Sequence, residues 1–237
     1  MPVPGADSKP LRAPDGTPLL RTFVFPAARA KIIDVWDVIG LNGTGSDSYE
    51  VADLFVPAER SFLRGEAVRR DYPLYRYTIN GVYMAGFPGV ALGIARAMLE
   101  EFIALAGAKT PRLRQSTLRD DAVIQAQVAM CEARLRSARA FLQETLVAGW
   151  ASAVAGGIGI NQRIATRLAS TFALNQAREV ADLIFHAAGA GAIYAGNPLE
   201  RRMRDIITVS QHLQARQAHY ETVGQFLLGL EPDLAMT

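Results

Sequence analysis

The pattern of apolar and polar residues changes character between residues 62 and 77. Before that point, runs rich in Val, Ile, Phe, Tyr and Trp at 21–27, 31–39 and 47–58 alternate with turn formers such as 42–46. These runs predict three β-strands, and the imperfect alternation in the third predicts a bulge or a tight bend. Three strands do not close a stable sheet, so this region requires partner strands that it does not contain.

From about residue 77 onward the apolar residues recur with a helical period, which predicts four long helices. Their expected spans are about 77–106, 117–148, 161–188 and 205–228. Ser116 or Thr117 suits the N-cap of the second helix, and Gly149 suits its stop. The stripe expected to face the core in the third helix consists of Ile160, Ile164, Leu168, Phe172 and Leu183. The corresponding face of the fourth helix consists of Ile206, Val209, Leu213, Tyr220, Val223 and Leu227.

Four long helices with short connections are typical of an up-down bundle. We therefore predict a mainly α fold, with a partial β-domain over residues 1–62 followed by a four-helix bundle over residues 63–237. Cys131 lies in the middle of a helix among Ala and Met residues, which predicts a core position.

Composition excludes several classes of function. The formal net charge of +2 is too small to indicate binding to nucleic acid or to an anionic membrane. A single cysteine rules out an internal disulfide and fits a reducing compartment such as the cytoplasm. The first 18 residues lack the apolar core of a secretory signal, and the run at 149–160 is too short to span a bilayer. Three scattered histidines and one cysteine predict no metal site.

Three stretches resemble the acyl-CoA dehydrogenase superfamily. GLNGTGSDSYEVADLFVPAER at 40–60 is similar to the last hairpin of its middle β-barrel, and TPRLRQSTLRDDAVIQAQVAMCEARLRSAR at 110–139 is similar to an arginine-bearing loop and a long helix. HAAGAGAIYAGNPLERRMRD at 186–205 resembles the glycine-rich loop and the Arg-Asp pair that begin its last catalytic helix. The resemblance implies the end of an incomplete β-barrel plus the whole C-terminal four-helix bundle. The chain is then a fragment, a truncated reading frame or one half of a split protein.

The carboxylate that a dehydrogenase of this superfamily uses as its base has no counterpart at the matching positions. That Glu normally follows the Asp of the Arg-Asp pair by eight residues, which here is Leu213. In other members the Glu lies on the first bundle helix, but residues 72–99 contain no Asp or Glu, and Tyr83 lies near the relevant place. The resemblance therefore disfavours acyl-CoA dehydrogenation.

His212 precedes the missing carboxylate by one residue. Two-component flavin monooxygenases of the same superfamily, which hydroxylate phenols or oxidise heteroatoms with reduced flavin and oxygen, carry a histidine at about this place. The resemblance makes His212 the candidate catalytic residue, either as a hydrogen-bond donor or as a base toward a phenol. The alternative is an ordinary surface or core histidine on a helix. His186 is expected to face the carbonyls at a helix C-terminus, and His219 is expected to face solvent.

The resemblance also implies a cofactor, either FAD or FMN. Arg112, with Arg114 as the near alternative, falls where an arginine contacts the flavin diphosphate, often across a subunit interface. Gly189, Gly191 and Ala192 fall in the glycine-rich loop that lets backbone amides approach the cofactor. The alternatives are a solvated loop arginine and a simple helix stop. Arg204 and Asp205 are expected to form an ion pair that fixes the loop rather than to react.

Three functions remain open from the sequence. The first is a flavin-dependent monooxygenase and the second is an acyl-CoA dehydrogenase. The third is a catalytically incomplete bundle that serves oligomerisation or partner binding. The implied partners are further copies of this chain in a dimer or tetramer, a flavin reductase, and a separately encoded N-terminal half.

Overall fold

The computed structural model describes residues 1–4, 9–12, 18–64 and 71–234. The chain forms two compact units by its internal contacts. One unit comprises residues 1–37 and 43–71, and the other comprises residues 38–42 and 72–237.

The first unit contains two antiparallel ladders of three-residue strands. Arg21–Phe23 (β1) pairs with Ser61–Leu63 (β4), and Lys31–Ile33 (β2) pairs with Ser48–Glu50 (β3). In each of the three predicted strands, only three residues near the start form a strand. The strand β4 was not predicted. The tight bend expected in the third run is present, because Asp53 has a φ of 47°.

Large apolar side chains of this unit are exposed in the chain. Ile32, Val35 and Tyr49 are more than half exposed, and Phe55 is 85% exposed. Such side chains gain little stabilisation from burial, because water still covers them. Within the described residues, these apolar side chains of the first unit are therefore left largely uncovered.

The second unit is a helical bundle built around one central helix. Its helices are Ile79–Ala108 (α1), Ala122–Ala155 (α2), Ile160–Ala188 (α3), Pro198–Ser210 (α4) and His219–Leu227 (α5). The helix α3 packs against all four others. The predicted mainly helical fold is confirmed.

Side-chain caps mark the starts of α1 and α2. The Thr78 hydroxyl accepts a hydrogen bond from the Gly81 N–H at the start of α1, and Asp121 accepts one from the Val123 N–H at the start of α2. Thr117, one of the two predicted caps, instead begins a short 3-10 turn over Leu118–Asp120 that precedes α2.

The predicted stop at Gly149 is wrong, because α2 continues to Ala155 and ends at Gly156, whose φ is 129°. Gly149 is a close-packing position instead. A Cβ atom there would lie 3.0 Å from the hydroxyl oxygen of Tyr77. Because Gly149 has no side chain, the Tyr77 hydroxyl can lie close to the backbone of α2 at this point.

The core face of α3 combines small residues with Leu174, Val180 and Ile184, none of which belongs to the predicted stripe. Ile164 is the one residue of that stripe that is buried. The fully buried alanines of this face are Ala169, Ala173, Ala177, Ala181 and Ala188. Small side chains let neighbouring helices approach closely on several sides, which suits a central helix. The predicted core position of Cys131 is confirmed by its complete burial.

The fourth predicted helix is two helices in the structure. The helix α4 ends at Ser210 and α5 begins at His219, with a 3-10 turn over Leu213–Ala215 between them. Leu213 and Leu227 of the predicted core face are therefore exposed, while Ile206, Val209 and Val223 of that face are buried. The prediction of one continuous helix over 205–228 is wrong.

Candidate functional site

His212 lies in the break between α4 and α5, not on a helix. Asn197 caps α4 by accepting a hydrogen bond from the Leu199 N–H at 2.9 Å, and the helix ends two residues before His212. The imidazole then caps the next turn, because its Nδ1 accepts a hydrogen bond from the Gln214 N–H at 3.2 Å. In a neutral ring with Nδ1 as acceptor, the proton resides on Nε2. His212 therefore presents an Nε2–H donor.

The His212 ring packs on Phe87 of α1, and a second aromatic side chain of α1 packs on Phe87. Phe87 stacks on the imidazole with the ring centroids 3.5 Å apart and the planes 17° from parallel. Tyr83, one turn earlier on α1, meets Phe87 edge-on at 5.9 Å. Burial lowers the pKa of His212 from its ordinary value of 6.5, which favours the neutral ring.

The position after His212 offers no carboxylate. Leu213 is 39% exposed, and the nearest acidic residues on α4 are already engaged. Asp205 accepts a hydrogen bond from the Leu41 N–H at 2.7 Å, and Glu200 pairs with Arg204. Neither acidic residue of α4 is therefore free to act as a proton-abstracting carboxylate.

Arg204 and Asp205 fix a segment of the chain, although they do not do so as a simple ion pair. Arg204 binds Glu200 one turn earlier at 2.5 Å and donates to the Ile39 carbonyl oxygen at 2.6 Å, while Asp205 holds Leu41. The Arg204 hydrogen bond lowers the pKa of Glu200. These contacts dock residues 38–42 onto α4.

The glycine-rich loop forms a second candidate site at the other end of α4. Gly189 ends α3 with a φ of 69°, a left-handed conformation that favours glycine. The Asn197 side-chain amide donates to the Gly191 carbonyl oxygen at 2.9 Å, which fixes the loop. Ala192 is buried in the core as a whole residue, so neither its side chain nor its backbone is exposed to a ligand in this chain.

Lys109 brings a positive charge to this loop. Its Nζ donates to the Ala188 carbonyl oxygen at 2.5 Å and would lie 3.5 Å from a Cβ atom on Gly189. The Lys109 carbonyl oxygen accepts a hydrogen bond from the Leu118 N–H at 2.9 Å. This bond closes the arginine-bearing loop at the same end of the bundle. The predicted arginine loop and glycine loop are therefore neighbours.

The two candidate arginines differ in their surroundings. The Arg114 guanidinium lies 3.9 Å from the Asp121 carboxylate and is 68% exposed. Arg112 is also exposed, and within the described residues it has neither a hydrogen bond nor an ion pair. Both side chains are free to approach a phosphate, Arg112 more so than Arg114.

His212 and the glycine loop are far apart in one chain. Phe87 and Lys109 mark the two sites on α1 and are separated by 22 residues. At 1.5 Å of rise per residue, the α-carbons of these two residues are roughly 33 Å apart. The helix α4, which runs from the glycine loop to the break at His212, has 13 residues and spans roughly 20 Å. The structure therefore does not bring His212 and Arg112 together within one chain.

The sequence interpretation missed two buried polar residues and misplaced a third. Arg167 and Gln214 are completely buried, and His219 is only 5% exposed, so the expectation that it faces solvent is wrong. The Nε2 of His219 lies 2.8 Å from the Leu213 carbonyl oxygen. His186 is exposed in the last turn of α3. The one available signal was Arg167 itself, the single charged residue between positions 164 and 177 of α3.

Two classes of site find no support in the described residues. Within 1–4, 9–12, 18–64 and 71–234, no group of three or more His, Cys, Asp or Glu side chains could hold a metal ion. Over the same ranges, no helix is long and apolar enough to cross a membrane.

The similar proteins are flavin-dependent oxygenases. An indole-3-acetate monooxygenase of Pseudomonas putida is 35% identical over 219 residues, which cover 92% of this chain and 56% of that protein. An FADH(2)-dependent resorcinol hydroxylase, oxygenase component, of a Rhizobium species is 25% identical over 236 residues, which cover 92% of this chain and 58% of that protein. The chain thus spans little more than half the length of these curated relatives.

The fold also matches a solved structure. A 3-HSA hydroxylase from Rhodococcus sp. RHA1 superposes with a TM-score of 0.86 at 24% identity, covering 100% of this chain and 61% of that one. Residues 85–217 match the family described as the acyl-CoA dehydrogenase C-terminal domain. The chain belongs to this family.

Proposed function

We propose that this chain is the C-terminal part of the oxygenase component of a two-component flavin-dependent monooxygenase, which acts on an aromatic substrate. The observation that carries the proposal is the corner at residues 212–214. There His212 offers an Nε2–H donor, and the next residue, Leu213, lacks the carboxylate that dehydrogenation needs. Both relatives described above carry out hydroxylation or monooxygenation according to their names.

The geometry favours one of the two roles considered for His212. A base toward a phenol needs a free lone pair, whereas Nδ1 already accepts from Gln214 and Nε2 carries the proton. His212 is therefore proposed to donate a hydrogen bond through Nε2–H to an oxygen atom of the reacting groups. Phe87 holds the ring plane, so the direction of that donor is set by α1.

The residues present fit a flavin in two separate places. Reduced flavin, when bound, supplies the electrons that activate oxygen. Lys109 and Arg112 offer cations beside a glycine loop, which is the donor set that phosphate groups need. The choice between FAD and FMN depends on whether these cations bind a diphosphate or a single phosphate.

The two places lie at opposite ends of α4, roughly 20 Å apart, and this separation supports a site shared by more than one copy of the chain. We propose that one copy supplies His212 to a flavin and a second copy supplies Lys109 and Arg112. The chain would then be a dimer or a tetramer, and Arg112 has no partner within the described residues of its own chain.

A second protein is needed to reduce the flavin. A relative described as an oxygenase component dependent on FADH(2) implies a separate reductase, and we propose the same for this chain. The cytoplasm is the proposed location, because the single thiol fits a reducing compartment.

The proposal is tested by binding and turnover measured together. Reduced FAD and reduced FMN are titrated without oxygen, and oxygen uptake and hydroxylated product are then measured with phenols and indoles. The His212→Asn substitution is expected to lower hydroxylation strongly and to leave flavin affinity within about twofold, because a lost catalytic hydrogen bond typically costs 10²–10³ in rate.

The matched control is His186→Asn, which changes an exposed histidine at the end of α3. It is expected to behave as the unsubstituted chain. An equal loss of flavin binding and hydroxylation in His212→Asn would refute the catalytic role. Failure to bind either reduced flavin, or oxidation of acyl-CoA without oxygen uptake, would refute the monooxygenase proposal for this chain.

A further inference from the structure

A stripe of polar side chains on α3 faces the break between α4 and α5. Arg167 donates to the Gln214 side-chain oxygen at 2.5 Å, and Asn175 accepts from the Gln217 side-chain amide at 2.8 Å. Three residues further along α3 than Asn175, Arg178 donates to the Ser210 hydroxyl at 3.3 Å. Positions 167, 175 and 178 share one face of a helix, so the stripe holds the break at three points.

Arg167 is the unusual member of this stripe, because it is completely buried. Its Nε and Nη2 have no hydrogen-bond partner among the described residues, and the Gln214 oxygen is the acceptor of its Nη1. Burial lowers the pKa of Arg167 to about 10, which reflects the unfavourable desolvation of its charge. A buried charge of this kind opposes folding, so its placement calls for a role other than stability.

The partner of Arg167 is the residue that orients His212. The Gln214 side chain is fixed by Arg167, and the Gln214 backbone N–H donates to Nδ1 of the imidazole at 3.2 Å. His219 fixes the same turn through the Leu213 carbonyl oxygen at 2.8 Å. The Arg167 contact is thus one of the contacts that hold residue 214 in place, and its backbone N–H lies on Nδ1 of the imidazole.

We propose that Arg167 is a positioning residue for His212. By holding Gln214, it keeps the backbone N–H on Nδ1 and so keeps the imidazole as the Nε2–H tautomer. The catalytic meaning of that tautomer rests on the proposed monooxygenase function, in which His212 acts as a donor. The structural claim about the tautomer stands on the contacts of residues 167, 212 and 214.

The test is a direct measurement of the tautomer by ¹⁵N NMR of the purified full chain. The chain has three histidines, so the ring signals are few, and the spectrum of His212→Asn assigns the one of interest. The unsubstituted chain is expected to show His212 with a protonated Nε2 and an unprotonated Nδ1. In Arg167→Met these two signals are expected to move toward each other, as an exchanging mixture of tautomers requires.

Two further variants keep the test decisive. The double change Arg167→Met and Gln214→Leu replaces the buried pair by apolar side chains, which buried sites often tolerate, and it too should lose the single tautomer. The control Arg178→Met removes a different contact of the same stripe and should leave the His212 signals unchanged. A single Nε2–H tautomer in the folded double variant, or in a folded Arg167→Met chain, would overturn the proposal.

The tautomer measurement needs neither flavin nor substrate, so it fails independently of the proposed function. If the unsubstituted chain hydroxylates its substrate but Arg167→Met keeps the single His212 tautomer, the proposed function stands and the positioning role of Arg167 is refuted. If Arg167→Met loses the single tautomer but the unsubstituted chain consumes no oxygen, the positioning role stands and the proposed function is refuted. If both hold, Arg167→Met should lower product formed per oxygen consumed while flavin affinity stays within about twofold.

Discussion

Replacement of Gly40 by alanine tests how residues 38–42 are docked onto α4. Gly40 is buried, and a Cβ atom there would overlap the carbonyl group of Arg204 and the backbone nitrogen of Asp205. These are main-chain atoms of a helix, so they cannot rotate away as a flexible side chain would. The segment must therefore lift from the helix, which also separates the Leu41 N–H from the Asp205 carboxylate.

The size of the effect follows from those two contributions. Overpacking typically costs about 1–3 kcal/mol. A lost hydrogen bond to a charged group costs about 1.5–3 kcal/mol. A combined loss of about 3 kcal/mol or more corresponds to roughly a hundredfold change in the docking equilibrium, since a factor of ten is about 1.4 kcal/mol. The loss is limited to the docking free energy of the segment, so the bundle itself should stay folded.

Amide hydrogen exchange at Leu41 is the appropriate assay, because it reports local opening rather than global unfolding. The Leu41 amide in Gly40→Ala is expected to exchange roughly a hundredfold faster than in the unsubstituted chain. The control is Gly43→Ala, three residues along, where a Cβ atom meets no atom within 4 Å. Unchanged Leu41 exchange in Gly40→Ala, or equal acceleration in Gly43→Ala, would refute the docking geometry.

Three further predictions concern the bundle. Phe102→Ala removes a completely buried ring and should lower the free energy of unfolding by about 3–5 kcal/mol, measured by urea denaturation. Gly93→Ala adds a methyl group into open space on the exposed side of α1 and should raise that free energy by about 0.5–1 kcal/mol; a lower midpoint would show a hidden contact. Burial lowers the pKa of both His212 and His219 below 6.5, so the unfolded chain binds protons first. Their contribution to stability is then complete above about pH 6.5 and is lost as the pH falls below it, so a urea midpoint that rises on mild acidification would contradict this.

The ends of α1 and α3 were predicted to within two residues, because proline or glycine flanks both segments. Helical periodicity failed at residues 211–218, which contain no proline or glycine and continue the pattern of the fourth helix. The break is held by side chains of α3, notably Arg167 and Asn175, and such tertiary contacts leave no local mark in the sequence. The α3 core face was missed for a related reason, since alanine carries little weight in a hydrophobic pattern.

The candidate site was predictable in residue type but not in geometry. His212 was singled out by its register beside the vacant carboxylate position, and that register remains its strongest support. Its position in a turn, its stack on Phe87 and its donor tautomer depend on packing between distant parts of the chain. The same limit applies to Lys109, whose approach to the glycine loop depends on how α1 and α3 end together.

The buried thiol of Cys131 gives the chain an internal reporter of bundle opening. It is the single cysteine, it is completely buried, and burial raises its pKa, so a thiol reagent in water meets no reactive thiolate while the bundle is closed. Each modification event therefore records one opening of the helices around α2. Each chain takes up one label, and the first unit adds no labelling of its own because it contains no cysteine.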